Sequence, residues 1–214
     1  MKIAIIGATG FLGSKLVKEA KDRGLEVTAI ARNPEKLTEE VKKAAIDVNR
    51  VDELAEVLKG QNAVVSAFNA GWKNPNLYQD FLKGSKSIQE AVKKAGVERL
   101  LVIGGAGSLY DAENNQLVDS PDFPAEIKPG ATAARDYLNE LKEEKDLDWA
   151  FFSPAIEMHP GITTGRTGKY RLGRDHPVFD ENNVSKLSPE DVAVVLMDEV
   201  QKPKHHQQRF TAAY

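Results

Sequence analysis

The stretch Gly7-Ala8-Thr9-Gly10-Phe11-Leu12-Gly13 (GATGFLG) decides how the chain is read. Before it stands the apolar run Lys2–Ile6, which predicts a buried strand. After it, Leu12, Leu16, Val17 and Ala20 recur at helical spacing, and Gly24 marks the stop. Glycines at 7, 10 and 13 permit a tight turn and let backbone amides approach an anion at the start of the helix. This strand–turn–helix context is that of a dinucleotide loop, with the spacing GxxGxxG in place of the commoner GxGxxG. The alternative is a glycine-rich β-to-α turn that holds no ligand.

Outward from the loop the same rhythm repeats. Leu25–Ala31, Ala44–Ile46, Ala63–Ala67, Arg99–Gly104, Trp149–Phe152 and Arg209–Ala213 are the further strand candidates, mostly continuous apolar runs suited to burial on both faces. Asn33-Pro34 predicts a helix start, with asparagine as cap and proline at the first helical position. Leu77, Phe81, Ile88, Val92 and Ala95 stripe a long helix that ends at Gly96. Ala134, Tyr137, Leu138 and Leu141 stripe another, and Ser188-Pro189 opens a last one. Strand alternating with helix predicts an α/β fold: a Rossmann-like, doubly wound parallel sheet with helices on both faces, in one domain over residues 1–214. Segments 106–130 and 154–180 break the rhythm after strands and are expected to be substrate-side loops, at the sheet edge where such folds bind ligands.

Composition narrows the classes. The net charge of -3 argues against a general nucleic-acid binder. With no cysteine, disulfides, thiolate catalysis and zinc–sulfur sites are excluded. Apolar runs are too short to span a bilayer, and MKIAIIGATG enters a strand without a signal-peptide pattern, so a cytoplasmic protein is expected. His205-His206 has no acid cluster beside it and predicts no metal site, only a solvated loop.

The end of the second strand selects the nucleotide. An NAD site usually carries an acid there; this chain has Ala31-Arg32-Asn33. The planar donor fork of Arg32 suits a 2′-phosphate, so NADP(H) is expected over NAD(H), against the alternative of a solvated arginine. Asp47 and Val48 follow the third strand as candidates for the adenine, and Asp47 reads equally well as a loop or cap aspartate. Ala67, Phe68 and Asn69 follow the fourth, where small residues would let ribose and nicotinamide pass, although Phe68 is also a core candidate.

Across the cleft, GGAGSLYDAEN (104–114) presents Ser108 and Tyr110. Trp72, Glu157, Met158 and His159 are candidate substrate contacts: Trp72 as a flat ring face or a loop anchor, His159 as an acid or an idle surface imidazole. Arg166, Lys169, Arg171 and Arg174 are read either as an attractor for an anionic substrate or as a solvated hairpin.

Taken in order, GATGFLG, AIARNPEK, SAFNAGW, VIGGAGSL, DWAFFSPA, RTGKYRLG and RFTAAY resemble the atypical short-chain dehydrogenase/reductase family with an NAD(P)H-binding, NmrA-like domain. Within it the chain is similar to bacterial NADH-flavin reductases, distant relatives of biliverdin reductase B. The resemblance implies phosphate contacts at Gly7, Thr9, Gly10, Phe11 and Leu12, and ribose and adenine contacts at Arg32, Asp47 and Val48. It places the nicotinamide along Ala67, Phe68, Asn69, Ser153 and Pro154, with Ser108 as the substrate-polarising, catalytic serine. The YxxxK pair of the wider superfamily is missing: Leu141 stands four residues after Tyr137, and Lys142 swings roughly 100° round the helix. Tyr137 is therefore a core residue, and neither Tyr110 nor Tyr170 has such a lysine.

The expected activity is hydride transfer from NAD(P)H to a flavin, quinone or similar small aromatic acceptor. Such a transfer needs orientation more than a positioned acid. The alternatives are a non-catalytic redox sensor and a sugar-nucleotide epimerase or dehydratase, for which the chain is short. A small-molecule acceptor is the expected partner, with no nucleic acid or membrane, and the protein is expected to be a monomer or homodimer.

Overall fold

The runs of Ile, Val, Leu and Ala become strands because their side chains are buried on alternate faces of one sheet. In the computed structural model, which describes Met1–Tyr214, β1 (Lys2–Ile6) sends Ile3 and Ile5 to one core and Ala4 and Ile6 to the other. The remaining strands are β2 (Glu26–Ala31), β3 (Lys42–Ala45), β4 (Ala63–Ser66), β5 (Arg99–Ile103), β6 (Asp148–Ser153), β7 (Arg171–Gly173) and β8 (Gln208–Ala213). They form one sheet in the order β3-β2-β1-β4-β5-β6-β8-β7, parallel throughout except for β7 against β8. The order reverses between β1 and β4, the topological switch point of a Rossmann fold.

Helices α1 (Phe11–Asp22) and α5 (Pro189–Gln201) cover one face; α2 (Val51–Leu58), α3 (Leu77–Lys94) and α4 (Lys128–Leu141) cover the other. The two cores hold 26 and 25 buried residues, so neither face is left to solvent and the sheet is doubly wound. Ser188 caps α5 by accepting from the Asp191 amide at 3.0 Å, and Pro189 follows at the first helical position, as the dipeptide predicts.

Two expectations fail. Asn33-Pro34 starts only a single 3-10 turn, Pro34–Lys36, and the Asn33 side chain caps nothing. The reason is local: only Pro34 and Leu37 are buried there, too few for an apolar helical stripe. The connection instead supplies β3, an edge strand whose lysines suit its exposed side, and then α2, whose acidic first turn (Asp52, Glu53) complements the helix dipole. The second failure is β7, three residues recruited from the basic loop by pairing with β8.

Candidate functional site

The site is built at the switch point, starting from the glycines. Gly7 takes φ +77°, and a Cβ there would stand 2.5 Å from the Ala67 carbonyl oxygen. A Cβ on Gly13 would stand 2.0 Å from the carbonyl oxygen of Gly7. These two positions accept only hydrogen, because β1, β4 and α1 converge there. The Gly7 carbonyl accepts from the Gly10 amide at 2.9 Å and closes the turn. Gly10 is the N-cap of α1 with no side-chain cap, and no acid lies in the first turn. The positive end of α1 is thus left for an external anion, which fits a pyrophosphate. Thr9 is half-buried, Leu12 packs on the core below, and Phe11 is exposed at the rim.

At the neighbouring corner, Arg32 and Asp47 follow the paired ends of β2 and β3. Arg32 is exposed. Asp47 accepts from the Asn49 amide at 2.9 Å and from its side chain at 3.0 Å. The amide bond above all, with the Asn49 side chain and nearby Arg32 and Arg50, holds the Asp47 carboxyl below the usual range despite partial burial. Val48 beside it is buried.

After β4, Phe68 stacks on Phe81 with centroids 6.0 Å apart, and Gly84 of α3 leaves the space for its ring. Phe68 is thus anchored in the α3 core. Asn69 is exposed and accepts from the Gly71 amide at 2.7 Å. Trp72 is 60% exposed and rests one ring edge against Gly130 of α4.

The opposite wall follows β5 and β6. Ser108 and Ser153 have no exposed surface, and their hydroxyl oxygens lie 2.9 Å apart. Ser108 also donates to the Gly105 carbonyl at 3.0 Å. Each hydroxyl carries one proton, so either serine can donate in the pair. Pro154, next in the chain, is buried as well. Tyr110 is half-buried, with the Arg209 guanidinium 5.0 Å from its ring centroid. Farther along, Met158 packs on the core, Glu157 is exposed and pairs its backbone with Ser185, and His159 is exposed with its ring bonded to the Gly161 amide.

Tyr137 lies in the core, where burial pushes its hydroxyl far up, and it bonds Gln89 at 3.2 Å. Tyr170 bonds Asp198 at 2.6 Å and is also raised, first by burial and then by that bond.

Three features are not those expected from sequence. Of the four basic residues, Arg166 is paired with Glu19 at 2.7 Å and Arg171 bonds the Phe179 and Tyr214 carbonyls, so only Lys169 and Arg174 are uncommitted cations. The loop before β8 is not simply solvated: His205 is buried, stacks on Phe210 at 4.2 Å and bonds one oxygen of the buried Glu199 carboxylate at 2.8 Å, while Arg99 donates to the other at 2.7 Å. Arg209 and Gln116, which support the Ser108 loop, were missed; the available signal was a charged residue inside the apolar strand RFTAAY.

Comparison with known proteins bears on the cradle. The family described as NAD(P)H-binding matches residues 7–203. The uncharacterized protein YwnB of Bacillus subtilis (strain 168) is 40% identical over 214 residues, covering 99% of this chain and 97% of that protein. A crystal structure from Bacteroides thetaiotaomicron, provisionally designated an epimerase, is 49% identical with a TM-score of 0.89, covering all of this chain and 96% of that one. A provisionally designated NADH-flavin reductase from Streptococcus pneumoniae TIGR4 is 36% identical with a TM-score of 0.88, covering all of this chain and 99% of that one. No helix is long and apolar enough to cross a membrane.

Proposed function

The chain belongs to the NAD(P)H-binding family and is related to bacterial NADH-flavin reductase and epimerase-like proteins, and from that premise we propose that it is an NAD(P)H-dependent reductase of a flavin, quinone or similar aromatic acceptor. When bound, a reduced nicotinamide supplies the hydride. The protein's own part is to bind and orient. Gly7, Thr9, Gly10, Phe11 and Leu12 hold the pyrophosphate at the start of α1, Asp47 and Val48 flank the adenine, and Arg32 selects NADP(H) through the 2′-phosphate. Ala67, Phe68, Asn69, Ser153 and Pro154 border the nicotinamide; Trp72 after β4, with Tyr110, Glu157, Met158 and His159 from the loops at 106–130 and 154–180, lines the acceptor side.

The observation that carries this reading is the commitment of the hydroxyl groups. The Ser108 hydroxyl is held between the Gly105 carbonyl and the Ser153 hydroxyl with no exposed surface, and Tyr137 is in the core bonded to Gln89. A ketone needs a positioned acid for its developing alkoxide. A flavin or quinone can take its proton from solvent once it is oriented, and orientation is what a rigid cleft supplies. In this reading Ser108 braces the acceptor-side loop through its bonds to Gly105 and Ser153 and does not protonate. The same commitment favours, as a second reading, a redox sensor that binds the dinucleotide without turnover.

The test is to mix the protein with NADPH or NADH and FMN, FAD or quinones and follow loss of reduced nicotinamide. Turnover on an aromatic acceptor is the expected result; tight dinucleotide binding without turnover on any of them selects the sensor.

A further inference from the structure

Arg209 stands inside β8, where Phe210 through Ala213 are buried, and is itself only 6% exposed. All sides of its guanidinium are engaged. Nε donates to the Asp175 carboxylate at 3.2 Å, with a second bond from one terminal nitrogen, and the other terminal nitrogen donates to the Ser108 carbonyl. Its charged plane lies over the Tyr110 ring. The Ser108 carbonyl also accepts from Gln116 at 3.1 Å.

The two segments that Arg209 touches are joined by their backbones as well. The Tyr110 amide donates to the Asp175 carbonyl at 2.9 Å, and the His176 ring meets the Tyr110 carbonyl at 3.0 Å. One segment carries Ser108 and Tyr110 after β5; the other is the turn that follows β7. An ion pair with one exposed partner adds little net stability, but two charge-assisted bonds from one guanidinium onto a single carboxylate oxygen fix its direction.

We infer that Arg209 and Asp175 are a positioning pair that locks these two segments into one rigid wall, holding Ser108 and Tyr110 in place on the acceptor side. The assignment of that side as the acceptor's rests on the reductase reading; the mechanical coupling of the segments does not.

Asp175→Ala tests the coupling: the Asp175 side chain is 53% exposed and leaves no cavity, and the Ser108 and residue-175 carbonyls remain as acceptors for the Arg209 guanidinium. Amide hydrogen exchange on wild type, Asp175→Ala and Arg209→Lys reads the wall directly. Expected is a rise of about tenfold in exchange at both 106–120 and 171–176 in Asp175→Ala, the size of one lost charge-assisted bond, with the central strands unchanged. Arg209→Lys keeps one donor for Ser108 and gives a smaller rise at 106–120 than at 171–176. Steady-state assays read the consequence: acceptor KM rises about tenfold while NADPH Kd stays within about twofold, a split that general destabilisation does not produce. Unchanged exchange at 106–120 in Asp175→Ala overturns the proposal, as does a change spread evenly over the whole sheet. Absence of wild-type turnover, with the exchange coupling present, rejects the reductase reading and leaves the pair standing.

Discussion

At position 13 one methyl group is enough to disturb the phosphate loop, since its carbon would lie 2.0 Å from the Gly7 carbonyl oxygen, a backbone atom that cannot swing away. Gly13→Ala is expected to lower stability by about 1–3 kcal/mol, the usual cost of overpacking, and to abolish dinucleotide binding. Urea midpoints and a fluorescence titration with NADPH measure the two effects. Arg32 is different in kind: it is exposed, so Arg32→Ala should leave stability within about 0.5 kcal/mol. If it grips a 2′-phosphate, the same change lowers the NADPH-to-NADH affinity ratio by about tenfold or more, the worth of one charged hydrogen bond. An unchanged ratio removes the argument for NADP(H). Both residues were legible in the sequence, because glycine spacing and a strand-end cation are local signals.

At the scale of the element, Gly84 shows how a helix serves a loop. Alanine in place of glycine inside a helix ordinarily stabilises by about 1 kcal/mol. Here a Cβ would stand 2.4 Å from the tip of the Phe68 ring, so α3 and the segment after β4 would have to part. Gly84→Ala is therefore expected to destabilise by about 1 kcal/mol net, with a weaker dinucleotide affinity as Phe68 shifts, measured by thermal melting and titration. The helical stripe of α3 was readable from its periodicity, but the glycine's role was not: Phe68 lies sixteen residues away and meets it only across a tertiary contact. Likewise Asn33-Pro34 carries the chemistry of a helix start, yet too few apolar residues follow it to build a buried face.

At the scale of the whole molecule, buried carboxylates make the fold acid-sensitive. Burial opposes ionisation of Glu144, but the Asp146 amide, the Gln89 side chain and the Lys93 ammonium outweigh it and hold its pKa at about 2, against 4.5 for an ordinary glutamate. Glu19 is lowered first by its bond from Arg166 and then by Arg23, against the cost of burial. A carboxyl depressed in the folded state stabilises above its unfolded pKa and loses that contribution as pH falls through the folded value. Stability should thus decline between about pH 4.5 and pH 2, with Glu144 accounting for on the order of 2 kcal/mol after solvent screening of partly exposed Lys93. Glu144→Gln should flatten that decline, as read from urea midpoints at pH 6 and pH 3; a decline as steep as in wild type would show that the carboxylate is not responsible.

The sequence by itself determined the alternation of strand and helix, the glycine turn, the doubly wound sheet and the core position of Tyr137. Those follow from periodicity and backbone freedom, which act over a few residues. Only the tertiary structure decided that Ser108 and Ser153 share a hydrogen bond, that Arg209 spans 101 residues to the Ser108 carbonyl, and that His205 is buried against Glu199. It also decided that β7 exists, since three residues of a polar loop become a strand only where β8 offers an open edge. Each of these depends on partners brought together by the assembled sheet. A buried polar group is placed by the partner that satisfies it, and for these residues that partner is remote in the chain or set by the fold.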